Sequence, residues 1–170
     1  MKHVNKDDYF ECFAFGNSPQ MADELLELVL AGKKTATVSV ILEGEPQPQI
    51  GDVSLVLNGK DEPACTIRTI YLETVRFCDL TWEMVKLEGE DETFEQWKTG
   101  NYGYWMQDAA QRGYTFTEKT MITFEKFEVV EIFSEYSKER ERCLTVFIKP
   151  YKFLRIFHYL FSSILLTASF

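Results

Sequence analysis

The chain has 170 residues, 45% of them apolar, with 14 Phe, 8 Tyr and 3 Trp and a net charge of −9. That composition supports one packed domain and excludes a disordered body. Residues 1–135 hold 12 Lys and Arg against 25 Asp and Glu, and so acidic a body opposes tight binding of long nucleic acid, which needs clustered Lys and Arg. A nucleoside without phosphate, or a small local basic pocket, is still allowed.

The polar start is followed by YFECFAFG, where Tyr9, Cys12 and Phe15 would share a helical face and Phe13 and Phe15 would equally suit a strand. Ser18 as N-cap and Pro19 at the first helical position open a helix. Met21, Leu25, Leu28 and Val29 form its apolar stripe, and Gly32 ends it. The β-branched run Ala36–Leu42 reads as a strand, and EGEPQPQIGD after it as a loop. Val53–Leu57, a turn at Asn58-Gly59 and Ala64–Val75 read as a hairpin whose second arm starts near Pro63.

Helical signals return over Leu80–Glu88, with Asp79 or Thr81 as cap. Thr93 and Gln96 form a capping box. The helix they open carries Phe94, Trp97 and Trp105, is interrupted near Gly100 and Gly103, and stops at Gly113. Lys119–Phe133 is strand-like, with a turn at Glu125-Lys126. Tight turns between strands, with helices grouped apart, predict an α+β fold: a curled antiparallel or mixed sheet or barrel with helices to one side.

Composition shifts near Ser134. Residues 136–170 read as a basic, apolar tail beyond the domain at 1–135. The uncharged run His158–Phe170 is shorter than the roughly 20 apolar residues of a spanning helix, so the tail is expected to pack on the body or extend from it, with contact to a membrane surface as the less favoured alternative. Cys12, Cys65, Cys78 and Cys143 show no CxxC spacing, and His3 and His158 are the only histidines. No metal or cofactor site is read from these residues, and the cysteines are expected to be reduced in a cytoplasmic protein. The N-terminus has no apolar signal-peptide core.

Three stretches bear on chemistry. AGKKTATVS places two lysines and two threonines at a helix-to-strand corner. By residue type, Lys34 suits a helix end and Thr37 a strand. Residues three apart on a regular strand face opposite ways, so Lys34 must lie in the bend if it is to act with Thr37. LEGEDE is either a solvated acidic turn or a source of a carboxylate, Glu88, whose pKa is raised by Glu90, Asp91 and burial. Trp97, Tyr102, Tyr104 and Trp105 are either core or a stacking platform. Tyr102 and Tyr104, flanking Gly103, read as a loop and as the better pocket candidates.

Together FGNSPQMADELLELVLAGKKTATVS, IGDVSLVLNGKDEPACTIRTIYLETVRF, LTWEMVKLEGEDETFEQW and MITFEKFEVVEI resemble the ASCH domain family, in family order, from about Phe15 to Phe133. The resemblance implies a PUA-like β-barrel with flanking helices. Family members include proposed RNA-binding modules, a ribonuclease-associated protein and small bacterial amidohydrolases of N4-acetylcytidine that use lysine, threonine and glutamate. Carried over, GKKTAT supplies Lys34 as base and Thr37 as nucleophile, and LTWEMVKLE supplies Glu88 as acid. Lys33 and Thr35 beside them, and Tyr102 and Tyr104, are the candidate substrate-binding residues. The turn EGED is one residue shorter than the EGEGD of longer members, and Asn101 stands where those carry histidine. Two expectations stand side by side: an amidohydrolase acting on a modified nucleoside, and a non-catalytic module binding RNA or a nucleotide ligand. The sequence leaves the oligomeric state open.

Overall fold

The computed structural model describes residues 6–133. The tail at 136–170, and with it Cys143 and His158, lies outside the described residues, as does His3. After a 3₁₀ turn at Lys6–Asp8, the chain forms β1 (Cys12–Phe13), α1 (Pro19–Leu30), β2 (Ala36–Val40), β3 (Val53–Leu57), β4 (Pro63–Arg76), α2 (Trp82–Val85), α3 (Phe94–Arg112) and β5 (Met121–Ile132). The five strands form one sheet in the order β1-β3-β4-β5-β2. β1 pairs parallel with β3, and every other pairing is antiparallel. The long β4 crosses the sheet, pairing with β3 through its first half and with β5 along most of its length. Register shifts at Thr66/Ile67 and Thr69/Tyr71 bend it, since an extra residue on one strand increases local twist. The result is a curled half-barrel with flanking helices, the expected α+β arrangement.

Alternation on β5 separates two cores. Ile122 and Phe124 join Phe77, Trp97, Trp105 and Phe116 under α2 and α3. Phe127, an odd number of residues further on, joins Phe15, Leu26, Val29, Val56 and Ile67 under α1.

Several local readings are corrected. Of the two readings open for YFECFAFG, the structure forms the strand, as β1. The buried face of α1 is Ala22, Leu25, Leu26 and Val29, while Met21 is exposed and lies against Gly16. The hairpin turn runs over residues 58–62 instead of two residues. Asn58 Oδ1 accepts from the amides of Lys60 and Glu62, and Asp61 takes the positive φ. Gly59 serves instead as a point of close approach. A Cβ there would sit 2.2 Å from the Pro19 carbonyl oxygen, and its amide donates to Asp23 on α1 at 2.8 Å.

β5 has no turn at Glu125-Lys126; the irregularity falls on the partner strand between Thr69 and Tyr71. α3 runs unbroken through Gly100 and Gly103 and ends at Gly113 in a left-handed cap, because its aromatic face is held against Phe77 and Phe116. Packing outweighs the roughly 1 kcal/mol cost of each interior glycine. No helix among the described residues is long and apolar enough to cross a membrane.

Candidate functional site

The site begins at the end of α1. The Lys33 amide donates to the Leu28 carbonyl and the Gly32 amide to that of Val29. With Gly32 at φ +69°, this is a Schellman turn. Leu28 O also accepts from Lys34 N at 3.1 Å. Lys34 is thereby fixed in the bend, two residues before β2 begins at Ala36, which meets the geometric condition set by the sequence.

A second segment closes over the outer edge of β2. The 3₁₀ turn Lys86–Glu88 ends at Gly89, whose φ is +70°. Its carbonyl at Leu87 accepts from Thr35 N at 2.8 Å, and Glu88 Oε1 accepts from Val38 N at 3.1 Å. A Cβ on Gly89 would lie 2.7 Å from the Lys33 carbonyl oxygen. Glycine is therefore required on two counts, conformation and space.

These two bends bring Lys34 and Glu88 together in the interior. Lys34 is 2% exposed and Glu88 4%. Lys34 Nζ donates to Glu90 Oε1 at 2.6 Å and stands 3.7 Å from Glu88 Oε1. It also lies 5.0 Å from the ring centre of Phe15. The indole N–H of Trp97 donates to Glu88 Oε2. No buried side-chain nitrogen or oxygen among the described residues lacks a hydrogen-bond partner, so the desolvation of these charges is offset by contacts.

Burial pushes the Glu88 carboxyl up to about 7, and the negative charge of Glu90 adds to the rise. The Lys34 ammonium and the N–H donors of Trp97 and Val38 oppose it. Glu88 is thus divided between its acid and carboxylate forms near neutral pH, the condition for donating a proton in one step and accepting one in the next.

Thr37 is half-buried on β2, opposite Glu125 of β5. It immediately precedes Val38, whose amide binds Glu88. Its side of the sheet is the side of Phe127, which packs against Phe15 beneath the Lys34 ammonium. Thr35 is half-buried, with its amide and hydroxyl both on the Leu87 carbonyl and its own carbonyl accepting from Phe127 N. Lys33 is exposed.

The two tyrosines belong to a different neighbourhood. Tyr102 packs on Phe77 and Phe116. Tyr104 is exposed on α3 near Asp108, its hydroxyl pKa raised by partial burial and by that carboxylate. Their reading as loop residues is overturned by the continuity of α3. Asn101 likewise faces its own helix, donating to the Trp97 carbonyl.

Sequence reasoning saw Glu90 only as a like charge beside Glu88, and Trp97 only as core or stacking surface. Glu90 is the direct partner of Lys34, and Trp97 combines core packing with a bond to Glu88. A capping-box residue one turn before an indole gave no signal for that bond. A cleft of about 590 Å³ between the end of α1 and the second half of β5 touches Lys34 and Thr35. It does not reach Thr37 or Glu88, so the site is assigned from contacts and not from that cleft. Among the described residues no group of three or more His, Cys, Asp or Glu is placed to hold a metal ion.

Comparison with known proteins agrees with this architecture. A family model described as ASCH domain matches residues 11–131. No curated protein matched the sequence. Among solved structures, protein EF3133 from Enterococcus faecalis V583 is 26% identical, with a TM-score of 0.69 over 75% of this chain and 80% of that one. An ASCH domain from Lactobacillus crispatus JV V101 is 22% identical, with a TM-score of 0.66 over 72% and 82% of the two chains. With the family model spanning most of its length and the PUA-like half-barrel in place, the chain belongs to the ASCH domain family.

Proposed function

We propose that this protein hydrolyses an acylated exocyclic amine on a nucleoside such as N4-acetylcytidine, with Thr37 as nucleophile and Glu88 as proton donor. The observation that carries the reading is the pairing of Lys34 and Glu88 in the interior, beside the strand that bears Thr37. Thr37 Oγ1 attacks the acyl carbon. Glu88, protonated in part near neutral pH, gives its proton to the departing nitrogen. Water then releases the acyl group from Thr37, with the Glu88 carboxylate taking the water's proton.

In this reading Lys34 acts as a cation, in place of the base that the resemblance implies. Lys34 Nζ donates a charge-assisted hydrogen bond to Glu90 Oε1 at 2.6 Å, which fixes it as a donor in the site. An ammonium on the same side of the sheet as Thr37 suits the developing oxyanion. Lys33 and Thr35 flank the site. Tyr102 and Tyr104 are left out of it, since their contacts lie elsewhere on α3.

The ion-paired Lys34 also suits a second reading, a non-catalytic pocket that binds a nucleoside or RNA-derived ligand. Incubating the full chain with N4-acetylcytidine separates the two. Turnover to cytidine and acetate, lost by about 10³-fold or more in Thr37→Ala and strongly reduced in Lys34→Ala, supports the hydrolase. Saturable binding without turnover supports the ligand module and overturns the hydrolase, as do wild-type rates in both variants.

A further inference from the structure

An attacking threonine needs a group to take its proton, and the bond shown for Lys34 Nζ is directed to Glu90. We infer that Glu125 is the base for the Thr37 hydroxyl, an assignment that rests on Thr37 being the nucleophile. Thr37 on β2 and Glu125 on β5 are direct partners across the sheet. Directly opposed residues leave the same face with Cβ atoms about 4.5–5.5 Å apart, a span that a glutamate carboxylate covers. Their face is shared with Phe127 and hence with the side on which the Lys34 ammonium lies over Phe15.

The carboxylate is anchored from its far side. Thr69 of β4, 2% exposed, donates its hydroxyl to Glu125 Oε1 at 2.6 Å. Thr69, Glu125 and Thr37 thus form a row across three adjacent strands. The register shift between Thr69 and Tyr71 keeps Thr69 within reach of Glu125, although Leu72 is the register partner of Glu125 on β4. Among the described residues nothing donates to Glu125 Oε2, and no buried oxygen lacks a partner, so Oε2 lies on accessible surface.

The other groups around it are carboxylates. Burial raises the Glu125 pKa, Glu11 and Asp52 raise it further, and the Thr69 bond opposes them. A carboxylate with raised proton affinity is a stronger base than an exposed one.

The step balances. Glu125 takes the proton of Thr37 Oγ1–H as the Oγ1–acyl carbon bond forms and the carbonyl π pair moves to oxygen. Collapse breaks the C–N bond, and the leaving nitrogen takes a proton from Glu88. In the second half, water adds to the acyl-threonine and loses a proton to Glu88. Thr37 then departs with the proton held on Glu125, and both carboxyls return to their starting forms. Amide and water are consumed, amine and acid are produced, and no further reactant is needed.

Steady-state hydrolysis of N4-acetylcytidine by wild type, Glu125→Gln, Glu125→Asp, Thr69→Val and Thr37→Ala tests this. Acetylation of Thr37 by p-nitrophenyl acetate, read by peptide mass spectrometry, is followed alongside. Glu125→Gln is expected to lower kcat about 100-fold or more with KM changed by less than about threefold. Its urea midpoint should stay near that of wild type, and Glu125→Asp should retain part of the rate. Thr69→Val should move the acidic limb of the rate profile to higher pH, because it removes the bond that lowers the Glu125 pKa. If Glu125→Gln keeps its kcat within about threefold while Thr37→Ala is inactive, Glu125 is not the base and the nucleophile stands. If wild type neither releases cytidine nor acquires an acetyl group on Thr37, the hydrolase reading and this inference fall together.

Discussion

Lys34 Nζ lies 3.7 Å from Glu88 Oε1 while donating to Glu90 at 2.6 Å. Glu88 therefore feels the ammonium as a nearby charge and is held in place by other donors, Val38 N and the Trp97 indole. This division lets the carboxyl titrate near neutrality, because the proton on Glu88 does not compete for the short Lys34–Glu90 bond.

Glu90 sets the balance. Its charge raises the Glu88 pKa, so Glu90→Gln should lower it. The titration midpoint, followed by tryptophan fluorescence or carboxyl NMR, is expected below about 7. A midpoint that stays put or rises would show that Glu90 does not act on Glu88 in this way.

Stability should carry the mark of the same group. The Glu88 pKa is raised from 4.5 to about 7 on folding, so between those values the folded chain holds a proton that the unfolded chain has released. The contribution is fully present below about 4.5 and is lost as pH rises toward 7. The slope is at most about 1.4 kcal/mol per pH unit. Urea midpoints of wild type should fall over this window more steeply than those of Glu88→Gln; parallel curves would rule out the linkage.

Trp97 is 1% exposed and does two jobs, filling the core against Phe77 and Phe94 and donating to Glu88. Trp97→Phe should destabilise by about 2–4 kcal/mol, from lost volume and an unsatisfied carboxyl oxygen. It should also raise the Glu88 pKa, since the indole bond lowers it. Denaturation without a pKa change would make Trp97 a packing residue only.

Gly89 is the tightest point between the two bends. Gly89→Ala adds a Cβ 2.7 Å from the Lys33 carbonyl oxygen at a φ of +70°, and should cost about 1–3 kcal/mol. Gly44→Ala, also at positive φ but with open space around its Cβ, should cost less. Equal urea midpoints for the two variants would mean that contact with Lys33 is relieved without penalty.

The fold was legible where local signals and packing agree. Ser18-Pro19 and Gly32 bracket α1, and the Ser18 hydroxyl accepts from Met21 N at 3.2 Å as a cap should. The β-branched run after Gly32 marked β2. Two errors came from reading local chemistry where tertiary contacts decide. Gly100 and Gly103 weaken a helix in isolation, yet the aromatic face of α3 holds it straight. Glu125-Lys126 looks like a turn because it is charged, but Glu125 faces Thr69 across the sheet.

At the site, the resemblance singled out Lys34, Thr37 and Glu88, and residue types alone did not. The contact between Lys34 and Glu90 joins residues 56 positions apart, and no pattern in one sequence encodes it. The Thr37–Glu125 pairing depends on register, which follows from where β2 starts after the Schellman turn. One residue more or fewer in that bend would turn Thr37 to the other face.

The Glu88 carboxylate occupies the N–H of Val38 on β2, the outermost strand on its side of the sheet. An unpaired strand edge invites a second chain to add to it. The carboxyl proposed for the chemistry therefore also covers part of this strand edge. Substitutions at Glu88 that remove the acceptor should produce higher-order species as well as lost activity, and the oligomeric state of such variants has to be read before their kinetics. Glu88→Gln keeps the acceptor, so it separates the two consequences.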